Sequence, residues 1–248
     1  MAGPRHFDAQ AELYAAARPP YPDVLWARLA ELGLLVPGHR VVDLGAGTGQ
    51  ATGPLLAAGL EVTAVEPGVQ LARLLSAAHP AATVVVARAE DAQLGRRAYD
   101  LVVAATSIHW LDLEVVLPKV HGLLRSGGHL VVWRHVFGDA DAPSTPFRER
   151  VAEIVAARTT PPRPGPDAED PAATLLGLTD GGLFVAEATD TFRWTIELDD
   201  TEVHRLFSTF SDWTPDEVQQ AAAAVRAVGG RVVEQYQTWL IVLSREGH

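Results

Sequence analysis

The chain has 248 residues, 48% of them hydrophobic, and a formal net charge of −11 from 31 acidic residues against 20 Lys and Arg; this suits one sizeable α/β core. Without cysteine, disulfides, thiolate catalysis and zinc–thiolate sites are excluded, and no other metal-ligand spacing stands out, so no metal is expected. Arginines are scattered and Lys119 is the lone lysine, which argues against nucleic acid and anionic membranes as partners; with no apolar run of roughly 18 residues and no apolar stretch in MAGPRHFDAQAE, a cytoplasmic protein is expected.

Residues 8–18 read as a helix that stops at Pro19-Pro20, and a second helix runs from Asp23 to about Leu34. Pro37-Gly38 turns the chain into a first strand, 40–44. A regular alternation follows: helix 49–58, strand 61–65, helix 68–78, strand 83–86, strand 100–104, helix 113–124, strand 129–133. Short β-branched runs separated by helical stretches predict βαβ units and a parallel sheet covered on both faces. Beyond Trp133 the pattern loosens. A helix is expected over 147–158, then a Pro-rich surface loop or lid hinge, TTPPRPGPDAEDP (159–171). Residues 184–198 read as a strand, 200–210 and 215–228 as helices, and 231–243 as a last strand, with the two strands pairing at the sheet edge.

The stretch VVDLGAGTGQAT (41–52) runs a buried strand into a glycine loop that opens a helix. Gly45, Gly47 and Gly49 do not fit Gly-x-Gly-x-x-Gly/Ala, because the third site falls on Gln50 or Thr52 depending on the starting glycine. Glu66 closes the second strand, where a carboxylate can accept both hydroxyls of a ribose, and Pro67 can lie against a base. Ala89 and Glu90 follow the third strand, where the backbone can read an adenine edge. These features gather at the C-terminal ends of successive strands, the side on which open α/β sheets bind ligands.

The segments VVDLGAGTG, VTAVEPG, ARAEDA, YDLVVAATSIHWLD and LLRSGGHLVVW occur in order. Together they resemble the motif series of class I S-adenosylmethionine-dependent methyltransferases. Phe7…Tyr14…Arg18-Pro-Pro-Tyr-Pro and His109-Trp110-Leu111-Asp112 are similar to the small-molecule branch related to trans-aconitate methyltransferase. The resemblance implies a Rossmann-like seven-stranded sheet in the order 3-2-1-4-5-7-6, strand 7 antiparallel, with helices on both faces. It also implies one domain: a helical cap over 1–36, a cofactor core over 37–135, and substrate-side elements with the C-terminal strand pair over 136–248.

The same resemblance implies S-adenosylmethionine as cofactor, with Gly45, Ala46, Gly47 and Gly49 against its methionine part and Glu66 and Pro67 at its ribose and base. Asp43 would order the loop or a water near the cofactor amine, and Ala105 would present backbone to the reactive end. Tyr14 and Arg18, four apart, share one helix face; Arg18 would grip the cofactor's carboxylate or else cap the helix end, and Tyr14 and Tyr21 would close over the cofactor as a lid or else serve as packing residues. His109 is placed where a neutral imidazole can remove a substrate proton, with His135 as second candidate; a structural histidine that fixes the loop is the competing reading. Tyr21, Trp110, Trp133 and Trp213 are candidate walls of an acceptor pocket, or else packing residues. Alternation sends Trp133 and His135 to one side of their strand and Arg134 to the other.

The expected reaction is in-line methyl transfer to an O, N or C atom of a small, carboxylate-bearing or natural-product-like acceptor, by a monomer or homodimer. Two alternatives stay open: a protein of this fold that uses the bound cofactor without transferring its methyl group, and an NAD(P)-dependent oxidoreductase, which the glycine spacing disfavours.

Overall fold

The computed structural model describes residues 8, 11–139, 141–159, 169–210 and 212–246. In chain order the elements are α1 (Ala11–Ala17), α2 (Asp23–Glu31), β1 (Arg40–Leu44), α3 (Thr52–Ala57), β2 (Glu61–Val65), α4 (Val69–Ala78), β3 (Thr83–Val85), β4 (Tyr99–Ala105), a 3₁₀ turn (Ile108–Trp110), α5 (Leu113–Leu123), β5 (Leu124–Phe137), α6 (Pro146–Ala156), α7 (Pro171–Thr179), β6 (Phe184–Asp199), α8 (Asp200–Ser208), α9 (Pro215–Ala227) and β7 (Arg231–Arg245).

Seven strands form one mixed sheet in the order β3-β2-β1-β4-β5-β7-β6, as expected. β1 pairs in parallel with β2 and β4, β2 with β3, and β4 with β5. β1 and β4 lie within this parallel run, and their interiors are buried almost throughout, which is why they read as continuous apolar runs. β5 starts five residues before the expected strand. Leu124 already pairs with Tyr99, the register then breaks, and the ladder resumes at His129 opposite Leu101. Arg125-Ser126-Gly127-Gly128 fills the irregularity, and those polar and glycine residues hide the early pairing from a reading based on β-branched runs.

The chain divides into two compact units. The larger comprises Pro20–His135, Pro166–Phe192 and Thr238–His248; the smaller comprises Met1–Pro19, Val136–Gly165 and Arg193–Gln237. In the larger unit, Leu25 and Leu29 of α2 lie one helical turn apart and pack with Val41, Val62, Val103, Val131, Trp133 and Leu240. In the smaller unit, α6, α8 and α9 contribute Phe147, Val203, Leu206, Phe207, Val218 and Val225 to a second core with Tyr236.

Helix starts after residue 140 follow local capping. Asp199 and Glu202 form a capping box on α8, as do Thr214 and Glu217 on α9. Helix α7 is absent from the sequence reading, although Asp170 accepts from the Ala172 amide at 2.8 Å and Pro171 occupies the first turn. Asp-Pro is a legible start; it was absorbed into the proline-rich stretch. Of that stretch, residues 160–168 lie outside the described residues.

Candidate functional site

The glycine loop leaves β1 against the end of β2: the Gly45 and Ala46 amides both donate to the Val65 carbonyl, at 2.8 and 3.1 Å. Gly45 sits at φ 68°, and a Cβ there would stand 2.7 Å from the Ser107 Cβ. Both the conformation and the close approach therefore demand glycine. Ser107, just after β4, reaches back and donates to the Leu44 carbonyl at 2.5 Å. The loop is thus fixed from both neighbouring strands. Ala46 packs its methyl on Ala64 and Leu75, and Gly47 and Gly49 also have positive φ.

Glu66 is 4% exposed. Its Oε2 accepts from the Gly47 amide at 2.9 Å and its Oε1 from the Gly68 amide at 2.8 Å. These two bonds fix the orientation of the carboxylate at the loop. Pro67, half-buried, lies between Glu66 and Gly68.

Asp43 is fully buried in β1. Its Oδ2 accepts from Thr52 Oγ1 at 2.7 Å, while Oδ1 accepts no hydrogen bond among the described residues. Burial pushes the Asp43 carboxyl up to about 7; the Thr52 hydrogen bond opposes this and the Glu66 charge adds to it. The glycine loop is therefore flanked by two buried acids, one with an unused acceptor.

Two further segments bound the same end of the sheet. Lys119 Nζ donates to the Ala89 and Glu90 carbonyls at 2.8 and 2.9 Å, fixing the loop after β3. The Glu90 side chain accepts from the Asp112 amide at 3.0 Å, which ties that loop to the start of α5. Burial would raise the Glu90 carboxyl, but the Asp112 and Glu90 amides and Arg88 outweigh it and hold the carboxyl below its ordinary value. Ala105 ends β4, and Thr106 follows at φ 56°, an uncommon conformation for a β-branched residue. It is held there by its amide bond to the Trp133 carbonyl at 2.7 Å and by Tyr21 Oη at 3.1 Å from its Oγ1. Strain over-determined in this way is characteristic of ligand-facing turns.

The two candidate proton acceptors have definite environments. Arg134 Nη1 lies 2.7 Å from His109 Nδ1, and its Nη2 is 3.7 Å from Glu169 Oε1. His135 Nδ1 is 2.7 Å from Thr238 Oγ1, and its Nε2 is 3.3 Å from the Pro20 carbonyl. A carbonyl only accepts, so in the neutral ring the Pro20 contact places the hydrogen on Nε2. Trp110 is half-buried beside His109, ring centroids 4.9 Å apart.

Tyr21 and Trp133, expected as pocket walls, are core residues. Trp133 is 0% exposed and meets Tyr21 and Trp26 edge-on, at 5.6 and 5.8 Å between centroids. Tyr21 also lies 4.5 Å from the His135 ring, so Trp133 and His135 do share a side while Arg134 points to His109. Tyr14, Arg18 and Trp213 belong to the smaller unit. There Arg18 donates to the Thr209 carbonyl at 3.2 Å and lies over the Tyr14 and Phe210 rings. Trp213 packs edge-on against Phe207 at 4.4 Å. In the same unit Glu234, 1% exposed, pairs with Arg148 at 2.6 Å.

The sequence reading missed Thr52, Ser107 and Lys119 as loop-fixing residues and gave Arg134 no role. None carries a local pattern; each acts on a partner distant in sequence. Thr52 came nearest to legibility, nine positions from Asp43 across the loop.

Residues 42–132 match the family model described as a methyltransferase domain. An uncharacterised methyltransferase of Mycobacterium tuberculosis (strain ATCC 25618 / H37Rv) is 36% identical over 130 residues, 51% of this chain and 51% of that protein; the chain spans about half the length of the curated relatives it matches first. Among solved structures, a protein of Anaeromyxobacter dehalogenans provisionally named a type II methyltransferase superposes with a TM-score of 0.64 at 23% identity, over 92% of this chain and 97% of that one. Geranyl diphosphate methyltransferase in complex with SAM gives 0.51 at 16% identity, over 96% and 85%. These structural likenesses carry the fold.

Proposed function

We propose, from the premise that residues 42–132 are a methyltransferase domain of the class I family, that the protein binds S-adenosylmethionine at the glycine loop and transfers its methyl group to a small-molecule acceptor. One observation carries the reading: two buried carboxylates, Asp43 and Glu66, stand at a glycine loop whose Gly47 amide already donates to Glu66. An acid at the end of β2 is common to both cofactor types; what disfavours a diphosphate here is the second buried acid, Asp43, beside the loop. S-adenosylmethionine instead brings a sulfonium and an ammonium, together with ribose hydroxyls for which Glu66 would serve as acceptor.

The residues fit that group. Asp43 Oδ1 is a buried acceptor awaiting a donor, directly or through water. Gly45, Ala46, Gly47 and Gly49 supply close backbone, Pro67 a flat apolar face, and Ala89, Glu90 and Ala105 the neighbouring loop ends. The bound cofactor would supply a methyl carbon already activated by positive sulfur. What remains for the protein is to hold the acceptor in line at near-attack distance and keep water out. His109 and Trp110, beyond the turn that Ser107 fixes to the loop, are the acceptor-side residues in this reading. The similarity to a geranyl diphosphate methyltransferase in complex with SAM supports the cofactor and an acceptor of small-molecule size.

Calorimetric titration with S-adenosylmethionine and, separately, with NAD(H) and NADP(H) tests the cofactor. Binding of the first alone is expected, and preference for a nicotinamide would sink the proposal. Incubating a metabolite mixture with methyl-labelled cofactor and searching for labelled products by mass spectrometry tests transfer.

A further inference from the structure

We propose that His79 is a positioning residue of the glycine loop: its ring, at the end of α4, seats against Gly49 and Gly53 and so holds the backbone on which the cofactor rests. The inference rests on the proposed binding of S-adenosylmethionine at that loop and adds a residue to it.

Helix α4 ends at Ala78, and His79 closes it. Both main-chain groups of His79 are tied: its amide donates to the Leu75 carbonyl at 2.8 Å, and its carbonyl accepts from the Ala82 amide at 3.0 Å. The side chain, half-buried, lies against two glycines. A Cβ placed on Gly49 would overlap His79 Cδ2 and stand 2.8 Å from Nε2. One placed on Gly53 would stand 2.7 Å from Cε1, and the next nearest atoms, at 3.3 and 3.5 Å, are the two ring nitrogens. Neither space admits a side chain while the ring stays in place. One imidazole thus keeps bare two positions four apart, Gly49 at φ 94° in the loop and Gly53 in the first turn of α3.

Leu75 stands one turn before His79 on the same face of α4. It packs with Ala46 and Ala64, and its Cγ would be 3.3 Å from a Cβ at Gly49. One face of α4 therefore follows the loop from Ala46 through Gly49 to Gly53. Along that segment the Gly49 amide donates to the Ala46 carbonyl and the Gly53 amide to the Gly49 carbonyl, both at 2.9 Å. Thr52, beside Gly53, bonds Asp43. The ring holds its two glycines by shape, so removing it lets the backbone between them relax into the vacated space. A loop that must then be ordered at the moment of binding holds its ligand less tightly. His79 acts through Gly49 and needs no contact with the cofactor.

Calorimetric titration with S-adenosylmethionine and amide hydrogen exchange read by NMR test this on a double-mutant cycle. His79→Ala should weaken affinity about tenfold, the scale of ordering roughly one residue on binding. Gly53→Ala should weaken it too, although Gly53 is not among the residues proposed to meet the cofactor, because its methyl displaces the ring. The double variant should bind no worse than His79→Ala and fold at least as well, since alanine favours the helix once the space is open. Additive losses overturn the inference, as do variants that lose stability toward urea yet keep full affinity, because the ring would then be packing alone. His79→Asn, the milder change, should give an intermediate loss and serves if Gly53→Ala by itself does not fold; full affinity there overturns the role equally. In ligand-free protein the Gly49 and Gly53 amides should exchange faster in His79→Ala than in the wild type, and unchanged exchange counts against it. That arm needs no ligand, so the two levels separate: a wild type that does not bind the cofactor defeats the proposed function, whereas normal binding by His79→Ala defeats only the role of His79.

Discussion

The Gly47 amide donates to Glu66 Oε2 at 2.9 Å, so the acid that ends β2 and the loop that follows β1 are one hydrogen-bonded element. The carboxylate is preset before any ligand arrives. Glu66→Ala removes both the preset and the acceptors for hydroxyl donors. Cofactor affinity should fall by about 1–3 kcal/mol, the usual cost of leaving such groups unpaired. Hydrogen exchange at the Gly47 and Gly68 amides should quicken in the same variant. Calorimetry and exchange mass spectrometry check the two halves, and undiminished affinity would mean that the ribose lies elsewhere.

Asp43 should make the ligand-free protein pH-sensitive. Its folded carboxyl is raised to about 7 from 3.8. Between those values the folded state holds a proton that the unfolded state has released. The contribution is fully present below about 4 and is lost as pH rises through about 7. At about 1.4 kcal/mol per pH unit, the loss has a ceiling of about 4 kcal/mol. Asp43→Asn lacks this titration, so its stability relative to wild type should improve from about pH 4 to about 7 and then level off. Urea midpoints across that range would show it, and parallel curves for the two proteins would refute it. With S-adenosylmethionine added, the ordering should reverse, since the cation favours the ionised acid.

Gly45→Ala meets two obstacles, the left-handed backbone and Ser107. A loss of about 1–3 kcal/mol in unfolding free energy is expected. Measured against Ser107→Gly, which by itself loses the hydrogen bond to Leu44, adding Gly45→Ala should cost less than it does in the wild type, because the contact is gone and only the backbone strain remains. Chemical denaturation of the single and double variants measures the difference; equal losses would locate the whole effect in the backbone.

Trp133 separates a core residue from a pocket wall. Trp133→Ala should cost about 3–5 kcal/mol of stability through the cavity left among Tyr21, Trp26 and α2. Conditions that keep the variant folded should leave S-adenosylmethionine affinity intact. A stable variant with weakened ligand binding would return the ring to the site.

The parallel half of the sheet was legible because β1 and β4 are buried almost throughout and its strands show as short apolar runs between helices. Glu66 was legible as well, from its place at a strand end. The burial of Tyr21 and Trp133 was not legible: an aromatic ring near a functional rim has the same signature whether it faces ligand or core, and burial depends on what α2 covers. Arg134 was seen to oppose its neighbours on β5, yet its meeting with His109 depends on the 3₁₀ turn, which no periodicity announces. β5 was underextended because Arg125-Ser126-Gly127-Gly128 lacks strand-like side chains.

Three of the borders between the two units fall inside β5, β6 and β7, and the smaller unit is drawn from three separate stretches of sequence. No single cut releases either unit as an uninterrupted polypeptide. Recombination at one crossover would therefore hand a relative a mixture of both, and transplanting the smaller unit takes three coordinated grafts.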